Sequence, residues 1–339
     1  MKKVFLILLS TALIMSSTCL IAQSNYKAGN KIHVEGDGGW DYLSVDGVNG
    51  RIFVSHGTVA QAIDIKTGKL AGTIPNTLGI HGIAIANDLN KGFTSNGRDS
   101  SVTIFNLKTF EVIAKINVTG RNPDAIIYDA FSHKVFTFNG GSNNSTVIDA
   151  NTNKVIGTIS LDGKPEFPAT NESGKIYVNI EDKSVINVIN TVSLKVEQHW
   201  SISPGEEPSG LALDNQTHRL FSVCSNKLMV VTDAETGKVI TTLPIGDRCD
   251  GVAFDPEKKR AYASNGEGSI TVVQEVSGNS FKVLETVPTQ PGAKTIAIDK
   301  ASHHLYLTTA DYEAAPTATN RRPAVKPNSF VILDFETLK

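Results

Sequence analysis

Cysteine is scarce. Three stand among 339 residues, and Cys19 belongs to an N-terminal leader, leaving Cys224 and Cys249 in the body of the chain. They form no C-x-x-C, which excludes a c-type haem attachment and zinc-ribbon spacing. Lys and Arg form no long run, the longest being Lys258-Lys259-Arg260, so the footprint expected of a nucleic-acid or anionic-membrane binder is missing. Without Lys2 and Lys3 of the leader, 30 basic residues face 34 acidic ones, and the net charge moves from −2 to −4. No G-x-S-x-G elbow, H-E-x-x-H helix or glycine-rich phosphate loop occurs, which leaves covalent catalysis without visible support. No segment sustains a helical period, so the length points to one large repetitive β domain.

The opening MKKVFLILLSTALIMSSTCLIA reads as a secretory signal over residues 1–22, with Lys2 and Lys3 before an apolar stretch and Ala22 before the cut. The apolar run is short and broken by Ser10, Thr11 and Ser16, so no membrane span is expected after its removal. Ser16 stands where a lipobox needs Leu, which argues against lipid attachment at Cys19. The remaining chain, 23–339, is expected in the periplasm or outside the cell.

One phrase recurs along that chain: WDYLSVDGVNGRIFVSHG from Trp40, IHGIAIANDLNKGFTSNG from Ile80, PDAIIYDAFSHKVFTFNG from Pro123, and four more copies from Pro165, Pro208, Cys249 and Ala293. Corresponding positions are Asp41, His81, Asp124, Glu166, Ser209, Asp250 and Lys294, spaced by 40, 43, 42, 43, 41 and 44 residues. A regular period in this range marks a solenoid or a propeller. Each copy holds short period-two strands and a polar turn. A third strand follows, then a hairpin of the form DIKTGKL (Asp64), DANTNKVI (Asp149) or DAETGKVI (Asp233), whose Gly or Asn tolerates positive φ. Four antiparallel strands in each of seven repeats give an all-β, seven-bladed β-propeller. The last repeat shows only three strands, and KIHVE (Lys31–Glu35) precedes the first. That spare N-terminal strand is expected to complete the last blade and close the ring.

AYASNG at Ala261, IYVNIE at Ile176 and LFSVCSN at Leu220, together with D-x-x-T-x-K hairpins such as DAETGK at Asp233, resemble the YVTN-repeat, or YncE-like, propellers. The resemblance covers roughly residues 31–339. It implies a secreted β-propeller and names no reaction, because members of that family share none.

In a propeller the start of the first strand and the end of the second share one face. Asp41, His81, Asp124, Glu166, Ser209, Asp250 and Lys294 are therefore expected to ring one mouth of the channel, with His56, Asn96, Asn139, Glu181, Asn226, Asn265 and Asp311 nearby. The Asn-Gly pairs also read simply as turns. Varied ionisable groups around one axis suit a ligand better than a repeated structural role does. Asp41, His56, His81, Asp124, Glu166, Asp250 and Lys294 are thus the candidate ligand residues, and His56, His81 and Asp41 the candidate ligands of a divalent metal ion. Arg321 and Arg322, in the insertion 310–328, are placed over the same funnel to meet an anionic group. His133, His218, His303 and His304 fall in turns of the opposite face and read as solvated. Cys224 and Cys249, near the funnel face of neighbouring blades, are expected to be able to form a disulfide. Two functions fit: a binding protein for a small molecule or a protein or peptide partner, or a metal-dependent lactonase- or lyase-type enzyme.

Overall fold

The computed structural model describes residues 24–313 and 324–338. Seven four-stranded antiparallel sheets follow one another along the chain. Blades one to six span residues 43–74, 80–117, 123–160, 165–201, 208–244 and 249–288. Blade seven takes three strands from the C-terminal part, Ile296–Asp299, His304–Thr309 and Val331–Thr337, and its fourth from the N-terminal part, Tyr26–His33. The closing strand begins earlier than KIHVE suggests. It pairs from Tyr26↔Thr337 to His33↔Val331 and bulges between Ala28 and Lys31.

Position in the blade decides how each strand is buried. Second and third strands such as Arg51–His56, Lys91–Asn96 and Ser101–Asn106 are buried on both faces, whereas the fourth strand Val112–Asn117 is largely exposed. Between blades, bulky and small residues alternate rather than apolar and polar ones, as in Ala261-Tyr262-Ala263-Ser264, all buried. The core is accordingly divided among the seams. Phe221 stacks on Phe254 across blades five and six with ring centroids 5.2 Å apart, and Phe53 meets Phe105 across blades one and two at 5.5 Å. Burying one such ring contributes about 1.5–3 kcal/mol.

The repeated hairpin has a local cause. Asp64 Oδ1 accepts from the Thr67 amide at 2.9 Å, and Asp149 and Asp233 do the same for Thr152 and Thr236. Gly68, Asn153 and Gly237 then adopt φ of 66°, 59° and 73°, the left-handed conformation that Gly and Asn tolerate best.

Cys224 and Cys249 are both buried free thiols, so the expected disulfide is absent. Cys224 belongs to the apolar cluster between blades four and five, Cys249 to that between blades five and six. Each sulfur turns to a carbonyl of its own strand, Cys224 to Ser222 and Cys249 to Gly251. Burial pushes the Cys224 thiol up to about 12 and Cys249 well above its ordinary value, which suppresses the thiolate needed for exchange. Non-reducing peptide mapping is expected to recover both as free thiols, and a recovered Cys224–Cys249 peptide would contradict this packing.

Candidate functional site

The first strands of blades two to six each carry a register shift at their opening: between Ile80 and Ile83, Pro123 and Ile126, Pro165 and Pro168, Pro208 and Leu211, and Cys249 and Gly251. His81, Asp124, Glu166, Ser209 and Asp250 lie in these bulges, which re-aim side chains away from the ladder. Hydroxyls pin the ring backbone from neighbouring positions. Ser264 donates to the Lys294 carbonyl at 2.6 Å, Thr295 to that of Asp41 at 2.7 Å, and Ser95 to that of Asp124.

Three consecutive blades bring their side chains together. His81 Nδ1 is 2.7 Å from Asp41 Oδ2 and 3.7 Å from Asp124 Oδ1. The three candidate ligand atoms lie within 4.8 Å of one another. Asp124 Oδ1 is buried and accepts no hydrogen bond. On the far side of Asp41, Lys294 Nζ donates to Asp250 Oδ2 and stands 3.8 Å from Asp41 Oδ1. Glu166 takes Lys164 Nζ at 2.8 Å, and the same ammonium binds Glu181. The Ser209 hydroxyl is committed to the Cys249 carbonyl at 3.2 Å.

Burial raises the Asp124 carboxyl to about 6, with the charges of Asp41 and Asp250 adding to it and His81 opposing. Burial, reinforced by the charge of Asp124, raises Glu166 to about 8, despite Lys164. Burial alone would lower His81, but its bond to Asp41 and the charge of Asp124 outweigh that and hold the imidazolium up. Lys294 is likewise held protonated, because Asp250 and Asp41 overcome its burial.

Glu166 therefore binds its proton more tightly folded than unfolded. Its contribution to stability is full below its ordinary value of 4.5 and is lost as pH rises through about 8. Glu166→Gln should accordingly be more stable than the parent at pH 9 by about 1 kcal/mol or more, and near parity at pH 4. Thermal melts at the two pH values measure this, and an equal shift at both would refute it.

Two residues that the aligned ring positions do not mark shape the site: Lys164 and Tyr42. Tyr42 is 9% exposed and follows ring position Asp41, and its phenol is raised by burial and by Asp124, Asp41, Asp250 and Glu166. Its ring lies 5.3 Å from Phe167, which follows Glu166 in blade four. Blades one and four stand across the ring from each other, so this pair spans the channel below the charged groups. A cavity of about 230 Å³ lies against these two rings, lined largely by apolar first-strand residues such as Ile83, Ile85 and Ile127. The signal was present in the repeat. The position after the ring residue is Tyr42, Gly82, Ala125, Phe167, Gly210, Gly251 and Thr295, small in five blades and large in two. The small ones permit close approach: a Cβ on Gly210 would stand 2.9 Å from the Gly251 Cα.

His56 does not join the metal-competent group, and Asp124 takes the place expected for it. The His56 ring is turned into blade one, where Nδ1 meets Gln61 Oε1 at 2.8 Å. Arg321 and Arg322 lie outside the described residues. Asn96, Asn139 and Asn265 are fully buried clips between second and third strands, not funnel groups. On the opposite face His303 and His304 are hydrogen-bonded rather than simply solvated, each with Nδ1 2.7 Å from an Asp oxygen, of Asp255 and Asp334 respectively.

Among the described residues no helix is long and apolar enough to cross a membrane. No family model matches the chain, and no curated protein matches it. Among solved structures it is similar to a chain of Kuenenia stuttgartiensis Hydrazine Synthase, with a TM-score of 0.71 and 16% identity over 81% of this chain and 94% of that one. Likeness at that identity speaks for architecture and leaves activity to the site itself. Strand order and structural likeness agree: the chain is an all-β, seven-bladed propeller.

Proposed function

We propose that this chain is an exported binding propeller of the YVTN-repeat kind, which holds a small ligand at the polar, blind mouth of its channel. The observation that carries this reading is the convergence of Asp41, His81 and Asp124 from three blades, with Asp124 Oδ1 buried and accepting no hydrogen bond, His81 standing 3.7 Å away. A buried acceptor left without a donor is costly, and a cation is what would satisfy it. Two carboxylates and an imidazole suit a divalent transition metal, alone or carried by the ligand. Lys294 and Lys164 on either side offer charge to an anionic portion of the same ligand.

A second reading, a metal-dependent lactonase- or lyase-type enzyme, draws support from Asp124 itself. A carboxyl near 6 beside a metal-competent cluster changes protonation close to neutrality, as a general base must. Elemental analysis of protein purified without chelator, with calorimetric titration of Zn²⁺ or Mn²⁺, tests the site. A bound or titrating divalent ion supports it, and absence of both overturns it. Lactone hydrolysis by the loaded protein would decide for the enzyme. Export is tested by N-terminal sequencing of the mature protein, expected to begin at Gln23.

A further inference from the structure

At the face opposite the funnel, two seams between blades make the same contact. The residue two past the end of a first strand is Asp88 in blade two and Glu257 in blade six. The residue four past that end is His133 in blade three and His303 in blade seven. Both pairs meet: His303 Nε2 lies 3.3 Å from Glu257, and His133 Nδ1 lies 3.3 Å from Asp88 Oδ2. The seams differ in what else the imidazole finds. Blade six ends its first strand in Asp255, which takes His303 Nδ1 at 2.7 Å. Blade two ends its first strand in Ala86, which leaves His133 Nδ1 to other partners.

Tyr128 supplies one. It is the last residue but one of the first strand of blade three, Pro123–Asp129. The same position in the other blades is Val45, Ile85, Ala169, Leu213, Phe254 and Ile298, all apolar. The Tyr128 hydroxyl donates to Asp88 Oδ2 at 2.7 Å and stands 3.0 Å from His133 Nδ1. A carboxylate oxygen, a phenol oxygen and an imidazole nitrogen from two blades thus sit 2.7, 3.0 and 3.3 Å from one another.

These separations match the edges of a coordination sphere. Adjacent donors of an octahedral ion bound at about 2.1 Å stand about 3 Å apart, so one ion can reach all three atoms. The Asp88 and His133 side chains are 42% and 51% exposed, which leaves the remaining positions to water. Two oxygen donors, one of them a phenol, beside one imidazole suit a hard ion of high charge, able to displace the phenol proton. Burial, the bond to Asp88 and the charges of Asp88 and Asp129 raise the Tyr128 phenol, so without a cation the trio stays hydrogen-bonded. A bound trivalent ion reverses that balance. The trio is separate from the funnel. Tyr128 lines the channel cavity and follows Asp124 by four residues, roughly 13 Å along the same strand.

We infer that Asp88, Tyr128 and His133 form a second metal site, at the opposite face, which takes ferric iron through carboxylate Oδ2, phenolate Oη and imidazole Nδ1. Binding releases the phenol proton to solvent, and the imidazole carries its own proton on Nε2. The test titrates the full chain with ferric nitrilotriacetate. One ion per chain should bind and give a visible tyrosinate-to-iron charge-transfer band. Tyr128→Phe, the residue blade six uses, should keep the melting temperature and abolish the band. His133→Asn, at φ 50°, which Asn tolerates, should weaken ferric binding at least tenfold. A parent without the band overturns the site. So does a band that survives Tyr128→Phe, since the phenol beside the funnel is Tyr42. Should Tyr128→Phe fail to fold, His133→Asn decides, and unchanged ferric affinity in that variant refutes the assignment.

Discussion

Asp124→Asn and His81→Ala should each weaken divalent-cation binding at the channel mouth by more than tenfold, about 1.4 kcal/mol, while leaving the fold intact. Asn keeps the shape of Asp124 and removes the charge that faces His81 and Asp41. Removing it also relieves repulsion among buried carboxylates, so its melting temperature should hold or rise. Asp250→Asn should weaken binding by another route. Asp250 holds Lys294, and a released Lys294 can turn to Asp41, only 3.8 Å away, and compete with the cation. Lys294→Met should then strengthen binding, which separates competition from direct ligation. Affinity should fall on acidification, because Asp124 takes up a proton near pH 6 and the raised His81 retains its own. His218→Asn is the control: it lies in an opposite-face turn at φ 56°, which Asn tolerates, and should change nothing. Calorimetry beside thermal melts decides between the readings. Ring variants that lose stability yet keep full affinity would return these residues to a structural role.

Deleting residues 24–35 should have the largest effect on the fold, opening the ring between blades seven and one. The lost strand covers the edge of Val331–Thr337, so its removal bares a row of unpaired backbone groups ready to pair with another chain. It also removes Tyr26, 5% exposed, whose hydroxyl bonds Tyr262 at 3.0 Å and accepts from Arg260 at 2.9 Å across the seam with blade six. Loss of that aromatic alone is worth about 3 kcal/mol or more. The truncated chain should self-associate and lose its sharp melt. A monomer with an unchanged melting temperature would show that the strand does not close the ring. Tyr26→Phe should cost much less, about 1 kcal/mol, because the ring stays and only the hydroxyl network goes.

The blades were legible because their causes are local. Period-two strands, Asp-x-x-Thr hairpins with Gly68, Asn153 or Gly237 at the left-handed position, and a repeat of about 42 residues each state their requirement within a few neighbours. Even closure followed from counting, since a last repeat short of one strand and a spare strand at the other end leave few alternatives. The start of that strand was less legible, because Tyr26 is held by a partner 236 residues away.

The site divides along the same line. Alignment alone places Asp41, His81, Asp124, Glu166, Asp250 and Lys294 on one ring, because equivalent positions of a repeat share an axis. Which of them meet was decided by the tertiary structure. Bulges set the aim of each side chain, and the contact of Asp41 with His81 and Asp124 depends on how three blades pack. His56 was misplaced by the sequence because a strand-end residue can face the channel or its own blade, and only Gln61 and Glu35 settle which. Protonation followed burial, which no spacing records: Glu166 near 8 and Asp124 near 6 owe their values to desolvation and to neighbours from other blades. The sequence by itself determined the number of blades and their ring of ionisable positions, since each repeat encodes its own strands and turns. The tertiary structure decided the pairings, the Tyr42–Phe167 plug and the Asp88–Tyr128–His133 trio, since these depend on side chains meeting across blades that the chain visits far apart.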